Sequence, residues 1–261
     1  VTLAASHAAE DVEAAEAALQ RLAGDAREAA ADGRRAAAAA LGQIPSGRFR
    51  TLLVPLMFDP DPAVAREAVR SAGRPGEADE LLLPPLVSLL RRRSLSAAVR
   101  DVLVGRGEGV LDVLAWFLWD HAEDPKVRRQ IPATLARLPS PRTVELLLYA
   151  LGDADEALRD EALEGLEAVR REAPALVPAR GPVEERILKE ARGHFRALSL
   201  RDNLVREGGG GSLLDRVLEE RMVRSRERIW RLLGIVFPPG DVAATRRGME
   251  ADSRARARAA E

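Results

Sequence analysis

A short motif that occurs twice between residues 124 and 163 constrains the fold of this chain more than any other feature. Each copy has an aspartate, an apolar residue three positions later, an arginine beside it, and an apolar residue one turn on; the copies occupy residues 124–131 and 155–162. The aspartate can accept hydrogen bonds from unpaired N–H groups at a helix N-terminus, and the two apolar residues share one helix face. An apolar helix over residues 144–151 separates the copies. This alternation of helix and turn predicts an all-α fold, an α-solenoid of stacked antiparallel helical hairpins.

The same pattern extends toward the N-terminus. The apolar residues that mark the start of each second helix are Val64, Val99, Val127 and Leu158, which are 35, 28 and 31 residues apart. A spacing near 30 suits helical hairpins whose loops vary in length. We therefore predict four repeats over 46–172, preceded over 1–45 by an Ala-rich helical hairpin that continues the solenoid.

Prolines interrupt several of the predicted helices. Pro55, Pro84 and Pro85 fall inside first helices, where we expect them to bend the stack, and Pro132 is expected to kink a second helix.

The C-terminal third has a different organisation. We predict a proline-rich break and a long helix over 173–206, then a Gly-rich loop over 207–211. The loop resembles an engineered linker, although loops of this kind also arise naturally in Ala/Arg-rich sequences. C-terminal helices follow over 212–261, where Asp252 begins a last copy of the motif that is cut short, so we expect the chain to be a fragment of a larger protein.

Composition excludes several kinds of site. The chain has no cysteine, which excludes disulfides, thiolate metal ligands and thiol nucleophiles and is compatible with a cytoplasmic protein. The 40 basic and 41 acidic residues are nearly balanced, so there is no bulk attraction to nucleic acid. No apolar run reaches the roughly 18 residues of a membrane span.

The sequence also shows no set of residues for catalysis. His7, His121 and His194 lack the i, i+4 spacing of a metal site, so we expect no metal, no cofactor and no enzyme activity. The glycines of residues 105–109 follow a helix and are not followed by Lys-Ser/Thr, so we predict a link between helices there rather than a phosphate-binding loop.

The motif Asp-x-x-apolar-Arg-x-x-Ala after an apolar helix resembles HEAT repeats, which have an armadillo-type fold. The resemblance covers residues 25–172 and 238–261; Ala65 stands where the motif has arginine, and Ser96 where it has aspartate. It implies a non-catalytic scaffold for protein–protein or interdomain contacts. Some HEAT-like folds instead bind nucleic acid, but they need a strongly basic groove, and here acidic residues are interleaved with the arginines.

Three shorter stretches, residues 129–132, 184–191 and 218–233, resemble a bacterial group of HEAT-containing proteins. In that group the HEAT segment is often fused behind a membrane module similar to nucleotide-exchange or major-facilitator transporters, and a cyclic-nucleotide-binding domain often follows. The resemblance implies a regulatory cytosolic segment of a membrane transporter as an alternative function. No residue of the transport or nucleotide-binding modules is present.

The resemblance also directs attention to particular arginines. Second helices line the concave side of HEAT proteins, and the basic residues that they carry here are candidates for binding a protein partner: Arg66, Arg70, Arg100 and Arg129. In contrast, Asp124 with Arg128, and Asp155 with Arg159, are predicted to form a structural Asp–Arg ladder between neighbouring repeats.

Aromatic residues make up only 3% of the chain, yet Trp116, Phe117 and Trp119 lie together. One interpretation is that the large rings fill a thick part of the core; the other is that Trp119 is exposed as an anchor for a partner. Further on, a row of arginines at 221, 224, 228 and 231 alternates with glutamates, which predicts i, i+4 pairing in water.

Overall fold

The computed structural model describes residues 4, 9–25, 27–44, 47–76 and 79–260, and within these ranges it contains helices and turns but no β-strand. The chain divides into two compact units, Val1–Leu138 and Pro139–Glu261. The helices of the first unit are α1 (Ala9–Gly24), α2 (Ala31–Leu41), α3 (Gly47–Arg50), α4 (Leu53–Met57), α5 (Pro62–Ala72), α6 (Leu83–Leu89), α7 (Ser96–Gly105), α8 (Leu111–Trp119), α9 (Pro125–Arg128) and α10 (Ile131–Leu135). Those of the second unit are α11 (Pro141–Ala150), α12 (Glu156–Glu172), α13 (Arg180–Arg206), α14 (Leu213–Val236) and α15 (Pro239–Ala260). The all-α prediction is confirmed.

The aspartates of the repeated motif act as N-caps. The Asp61 carboxylate accepts hydrogen bonds from the N–H groups of Ala63 and Val64, and the Asp124 carboxylate accepts one from Lys126 at 2.9 Å. Each cap is followed by proline at the first helical position, where the missing N–H group costs no helical hydrogen bond. These local signals define where the second helices begin.

The apolar positions of the motif form the core. The four marker residues Val64, Val99, Val127 and Leu158 are all buried. Each is joined in the core by a second apolar residue four positions further on, as expected for one helix face. The hairpins are therefore held together by small and medium-sized aliphatic side chains, in keeping with the Ala/Leu/Val-rich composition.

The prolines that interrupt predicted helices lie in the first turns of shorter helices, and the expected bending of the stack stays a prediction. Pro84 and Pro85 are the second and third residues of α6, and Pro55 is the third residue of α4. Pro132 is the second residue of α10, which is separate from α9. N–H groups in the first helical turn have no partner within the helix, so proline is tolerated there. The prolines mark helix starts, and they divide the predicted helices into shorter ones.

Other helix boundaries also differ from expectation. The predicted first helix begins at Ala9, and residues 1–3 and 5–8, with His7, lie outside the described residues, as do Pro45 and Ser46 of the predicted turn. At the other end α15 is one continuous helix, so Asp252 lies within it and does not begin a new helix. The domain boundaries given above stay a prediction.

Candidate partner-binding surfaces

The arginines of the repeated motif donate hydrogen bonds to backbone carbonyl oxygens that precede them in the same hairpin. The buried Arg128 donates from Nε and Nη2 to the carbonyl oxygen of Leu118, in the last turn of α8, at 3.1 and 2.9 Å. Arg159 donates from Nη1 to the carbonyl oxygens of Asp153 and Ala154, in the loop between α11 and α12. The Leu118 carbonyl lacks a helical partner and lies at the negative end of the helix dipole, so the guanidinium of Arg128 forms charge-assisted hydrogen bonds there. Arg128 therefore joins the two helices of its hairpin, and Arg159 holds the loop that connects them.

The environment of Arg159 is partly dehydrated. Burial lowers the pKa of its guanidinium, and the positive charge of Arg186 acts in the same direction. Asp155 is the N-cap of α12, accepting from the Ala157 N–H at 3.0 Å, and Asp124 forms an ion pair with Arg91 of the preceding repeat at 3.6 Å. An Asp–Arg ladder between neighbouring repeats stays a prediction.

A buried ion pair was not anticipated from the sequence. Arg34 occupies the apolar position of a weak copy of the motif, and its Nε donates to Oδ2 of Asp59 at 2.6 Å, with both side chains buried. Its Nη1 also donates to the carbonyl oxygens of Asp25 and Arg27. Burial alone would raise the pKa of Asp59, but hydrogen bonds from Arg34 and from the Asp61 N–H outweigh it and lower the pKa. The only signal in the sequence was an arginine at a core position.

Two further arginines donate hydrogen bonds to carbonyl oxygens at the C-terminal end of α5. Arg50 is fully buried, and its Nη2 donates to the carbonyl oxygens of Ala72 and Arg74 at 3.1 and 2.6 Å. Arg106 donates to the same Ala72 carbonyl. Gly76 packs against Arg50 so closely that a Cβ would lie 2.5 Å from its Cδ. A larger residue at this position would force the Arg50 side chain to shift.

The four candidate arginines lie on consecutive second helices of the first unit. Arg66 and Arg70 are exposed on α5, and Arg70 pairs with Glu67 at 2.9 Å. Arg100 on α7 is half-buried and donates to Oε1 of Gln130 at 3.0 Å, and Arg129, just after α9, is also half-buried. The Arg100–Gln130 bond links adjacent second helices. These helices thus form a layer, on which Arg66 is exposed and forms no ion pair with a described residue.

The aromatic cluster is split between core and surface. Phe117 is buried, whereas Trp116 and Trp119 are 59% and 43% exposed. The Trp116 and Phe117 rings meet edge to face at 4.9 Å between centroids. The two tryptophans are three residues apart and lie side by side on the outer side of α8. The interpretation that the large rings fill the core is therefore wrong for both tryptophans and right for the phenylalanine.

In the second unit, arginines of α14 pair across helices more than along their own. Arg224 pairs with Glu220 as the i, i+4 pattern predicts, at 3.1 Å. Arg228 instead binds Glu156 and Asp160 of α12, and Arg231 binds Glu167 of α12 through two hydrogen bonds of 2.8 and 2.9 Å. The i, i+4 prediction is wrong for these two residues, because they lie where α12 brings carboxylates within reach.

The residues considered for chemistry lie apart from one another. His121 is exposed, and His194 contacts the Met222 carbonyl oxygen. The glycines of residues 105–109 link α7 to α8, as predicted. Across the described ranges there is no group of three or more potential ligands that could hold a metal ion. No helix in the described part of the chain is long and apolar enough to cross a bilayer.

Comparison with known families explains this architecture. The family model for HEAT repeats matches residues 15–104 and 111–191. The chain belongs to the HEAT-repeat family. HEAT repeats are generally non-catalytic and indicate a repeat scaffold for protein interactions.

Comparisons with individual proteins add little to the family match. No curated protein matches this HEAT-repeat chain. Among solved structures, fifteen chains match, including a crystal structure of an engineered protein that is 18% identical with a TM-score of 0.35. That match covers 81% of this chain and 96% of the engineered one.

Proposed function

We propose that this HEAT-repeat chain is a non-catalytic scaffold that binds a protein partner or a neighbouring domain through its first unit. Two surfaces support the proposal. The layer of second helices carries Arg66, Arg70, Arg100 and Arg129, and the outer side of α8 carries Trp119. The exposure of Trp119 is the single observation that carries the proposal most, because tryptophan is rarely left in water and is a favoured anchor in protein interfaces.

The arginine layer supports an acidic partner. Arg66 is exposed without an ion pair to a described residue, so binding there would not require an existing pair to break. Arg70, Arg100 and Arg129 each have contacts within the chain, which hold their side chains over the surface. Guanidinium groups form paired hydrogen bonds with carboxylates, which gives orientation as well as attraction.

Replacement of Arg129, Arg66 or Trp119 by Ala should weaken retention of a partner at least several-fold, because truncation of an anchor residue typically costs more than about 1 kcal/mol. The measurement is a quantitative pull-down with the purified chain as bait, with helical content checked by circular dichroism. Arg93→Ala, an exposed arginine in the loop before α7, is the matched control. Unchanged retention by all three variants would remove these residues from the binding surface.

We further propose that the chain works in the cytoplasm as part of a larger bacterial protein that includes a membrane module. This proposal is supported by the resemblance of residues 129–132, 184–191 and 218–233 to proteins of that organisation. Sequencing of the surrounding gene tests it. Predicted membrane spans in the same reading frame would support the regulatory role, and a reading frame without them would contradict it.

A further inference from the structure

Helix α13 leaves an apolar stripe exposed. Leu188, Phe195 and Leu198 are 55%, 64% and 41% accessible to solvent, and Ala191 lies between them. The spacings of three, four and three residues place all four side chains on one helix face. Three large apolar side chains on a single exposed face are more than the isolated surface residues that soluble proteins normally carry.

The other two faces of α13 are already occupied. Toward α14, Arg201 pairs with Asp215 at 2.6 Å, and Glu190 and Ala197 are buried. Toward α11, Glu185 and Lys189 line a small cleft together with Leu148 and Leu151. On a helix with about 3.6 residues per turn, Glu185 and Lys189 lie along one edge of the stripe, and the buried Glu190 lies beyond its other edge. The stripe itself stays exposed between these two contacts.

Helix α15 packs against α14. The two helices enclose a groove of about 590 Å³ lined by residues that include Val223 and Trp230 of α14 and Met249 of α15. Arg246 of α15 pairs with Glu227 of α14 at 2.9 Å across this contact. The stripe on α13 has no such cover within the described residues. Helix α14 is thus covered by α15, whereas the stripe on α13 is open to solvent.

One edge of the stripe carries basic residues, and the exposed Glu184 lies in line with the N-terminal end of the stripe. Arg192 and Arg196 are exposed, lie one turn apart along the same edge, and form no ion pair with a described residue. Lys189, on this edge too, is paired with Glu185 at 3.4 Å. A ligand that covers the apolar stripe would bring its own flanking residues within reach of the two arginines, where carboxylates are favoured.

A second copy of the chain fits this edge poorly. Symmetric antiparallel pairing would set Leu188 against Leu198 and Ala191 against Phe195 of the other copy, with the two-fold axis at position 193. That axis would bring the Arg192 side chains of the two copies together, and like charges at an interface are unfavourable. The apolar residues permit self-association, but the arginines oppose it.

We propose that the stripe on α13 binds an amphipathic helix of a protein partner whose apolar face is flanked by acidic residues. The contact is of the helix-in-groove kind, with leucine-type anchors at spacings of three and four residues. This site is on a helix of the second unit, whereas the proposed function rests on residues of the first unit. An experiment can therefore contradict one proposal and leave the other standing.

The test uses two synthetic helical peptides of about 21 residues, or three heptads, with leucine at a and d and either glutamate or lysine at e and g. Binding of each labelled peptide to the full chain is followed by fluorescence anisotropy. The glutamate peptide should bind at least about tenfold more tightly than the lysine peptide, which corresponds to about 1.4 kcal/mol. Equal binding of the two peptides, or no binding of either, would overturn the proposal.

Substitutions on α13 test whether the peptides bind at the stripe. Arg192→Glu with Arg196→Glu should reverse the preference in favour of the lysine peptide, and Phe195→Asp should abolish binding of the glutamate peptide. Leu213→Asp, which alters an exposed leucine outside the stripe, is the matched control, and circular dichroism confirms folding. A dimer in analytical ultracentrifugation that Phe195→Asp dissociates would assign the stripe to a second copy and overturn the proposal.

Discussion

At the scale of single residues, some arginines are buried and structural while others are exposed to solvent, and the residue type alone does not tell which. Arg34 and Arg128 are buried and bonded to a carboxylate or to carbonyl oxygens, whereas Arg66 is in solvent. A buried guanidinium is stable only when carbonyl or carboxylate oxygens replace its lost hydration. The motif predicts an arginine at position 128 but an apolar residue at position 34, and the acceptors lie 10 and 25 residues away in sequence.

The ion pair between Glu156 and Arg228 should make stability depend on pH. The hydrogen bond from Arg228 lowers the pKa of Glu156 below its ordinary value of 4.5. A carboxyl group with a lowered folded-state pKa stabilises the fold above the unfolded-state value, and this stabilisation is lost as the pH falls through the folded-state pKa. We therefore expect the urea concentration at the unfolding midpoint of the wild type to decrease as the pH is lowered below 4.5. Glu156→Gln should have a lower midpoint than the wild type at neutral pH, and its midpoint should decrease less in acid.

The control for this experiment is Glu184→Gln, an exposed glutamate with no ion pair to a described residue. Its urea midpoint should follow that of the wild type at every pH. If Glu156→Gln also followed the wild type, the contact between Glu156 and Arg228 would contribute nothing to stability.

At the scale of the element, helix starts were the most predictable feature. Asp61, Asp124 and Asp155 are N-caps as expected, because capping depends on groups within three residues of one another. Ser96 was expected to replace the aspartate of the motif, but it is the first residue of α7, and its hydroxyl bonds to the Arg93 carbonyl oxygen. The departure from the motif is thus accompanied by a different helix start.

Removal of one cap tests this interpretation. Asp155→Ala should lower the free energy of unfolding by about 1 kcal/mol, because the N-terminus of α12 loses its side-chain acceptor, and Asp155→Ser should restore most of it. Urea denaturation followed by circular dichroism measures both. Asp252→Ala is the matched control, since Asp252 lies within α15. A loss for the serine variant as large as that for alanine would show that the charge, and not the cap, matters.

At the scale of the whole molecule, the chain is organised as two compact units of repeated hairpins. In repeat proteins, stability is approximately a sum of intrinsic repeat terms and contacts between nearest neighbours. Each unit has its own buried aliphatic core, with Leu103 in the first and Leu166 in the second. Loss of packing in one unit should therefore lower the local stability mainly of that same unit.

Hydrogen exchange followed by mass spectrometry can locate this effect. Leu103→Ala should destabilise its surroundings by about 2–5 kcal/mol through lost burial and cavity formation, and should raise amide exchange within Val1–Leu138. Leu166→Ala is the reciprocal variant and should act within Pro139–Glu261. Equal acceleration in both units by either variant would show that the chain unfolds as one cooperative body.

The candidate surfaces were only partly predictable. The sequence picked out Trp119 and the second-helix arginines, but it left open whether the aromatic rings lie in the core. It also predicted a long helix within residues 173–206, without showing which face of that helix stays uncovered. Periodicity identifies a face that can be buried, but whether it is buried depends on a neighbour that local sequence does not specify.

The amino-acid sequence by itself determined the helices, their caps and the apolar face of each repeat, because these depend on residues within one or two turns of one another. Only the tertiary structure decided which arginines are buried, where Arg228 and Arg231 find their carboxylates, and which apolar stripe stays in solvent. Those outcomes depend on which helices come to lie side by side, and residues distant in the chain supply the acceptors and the cover.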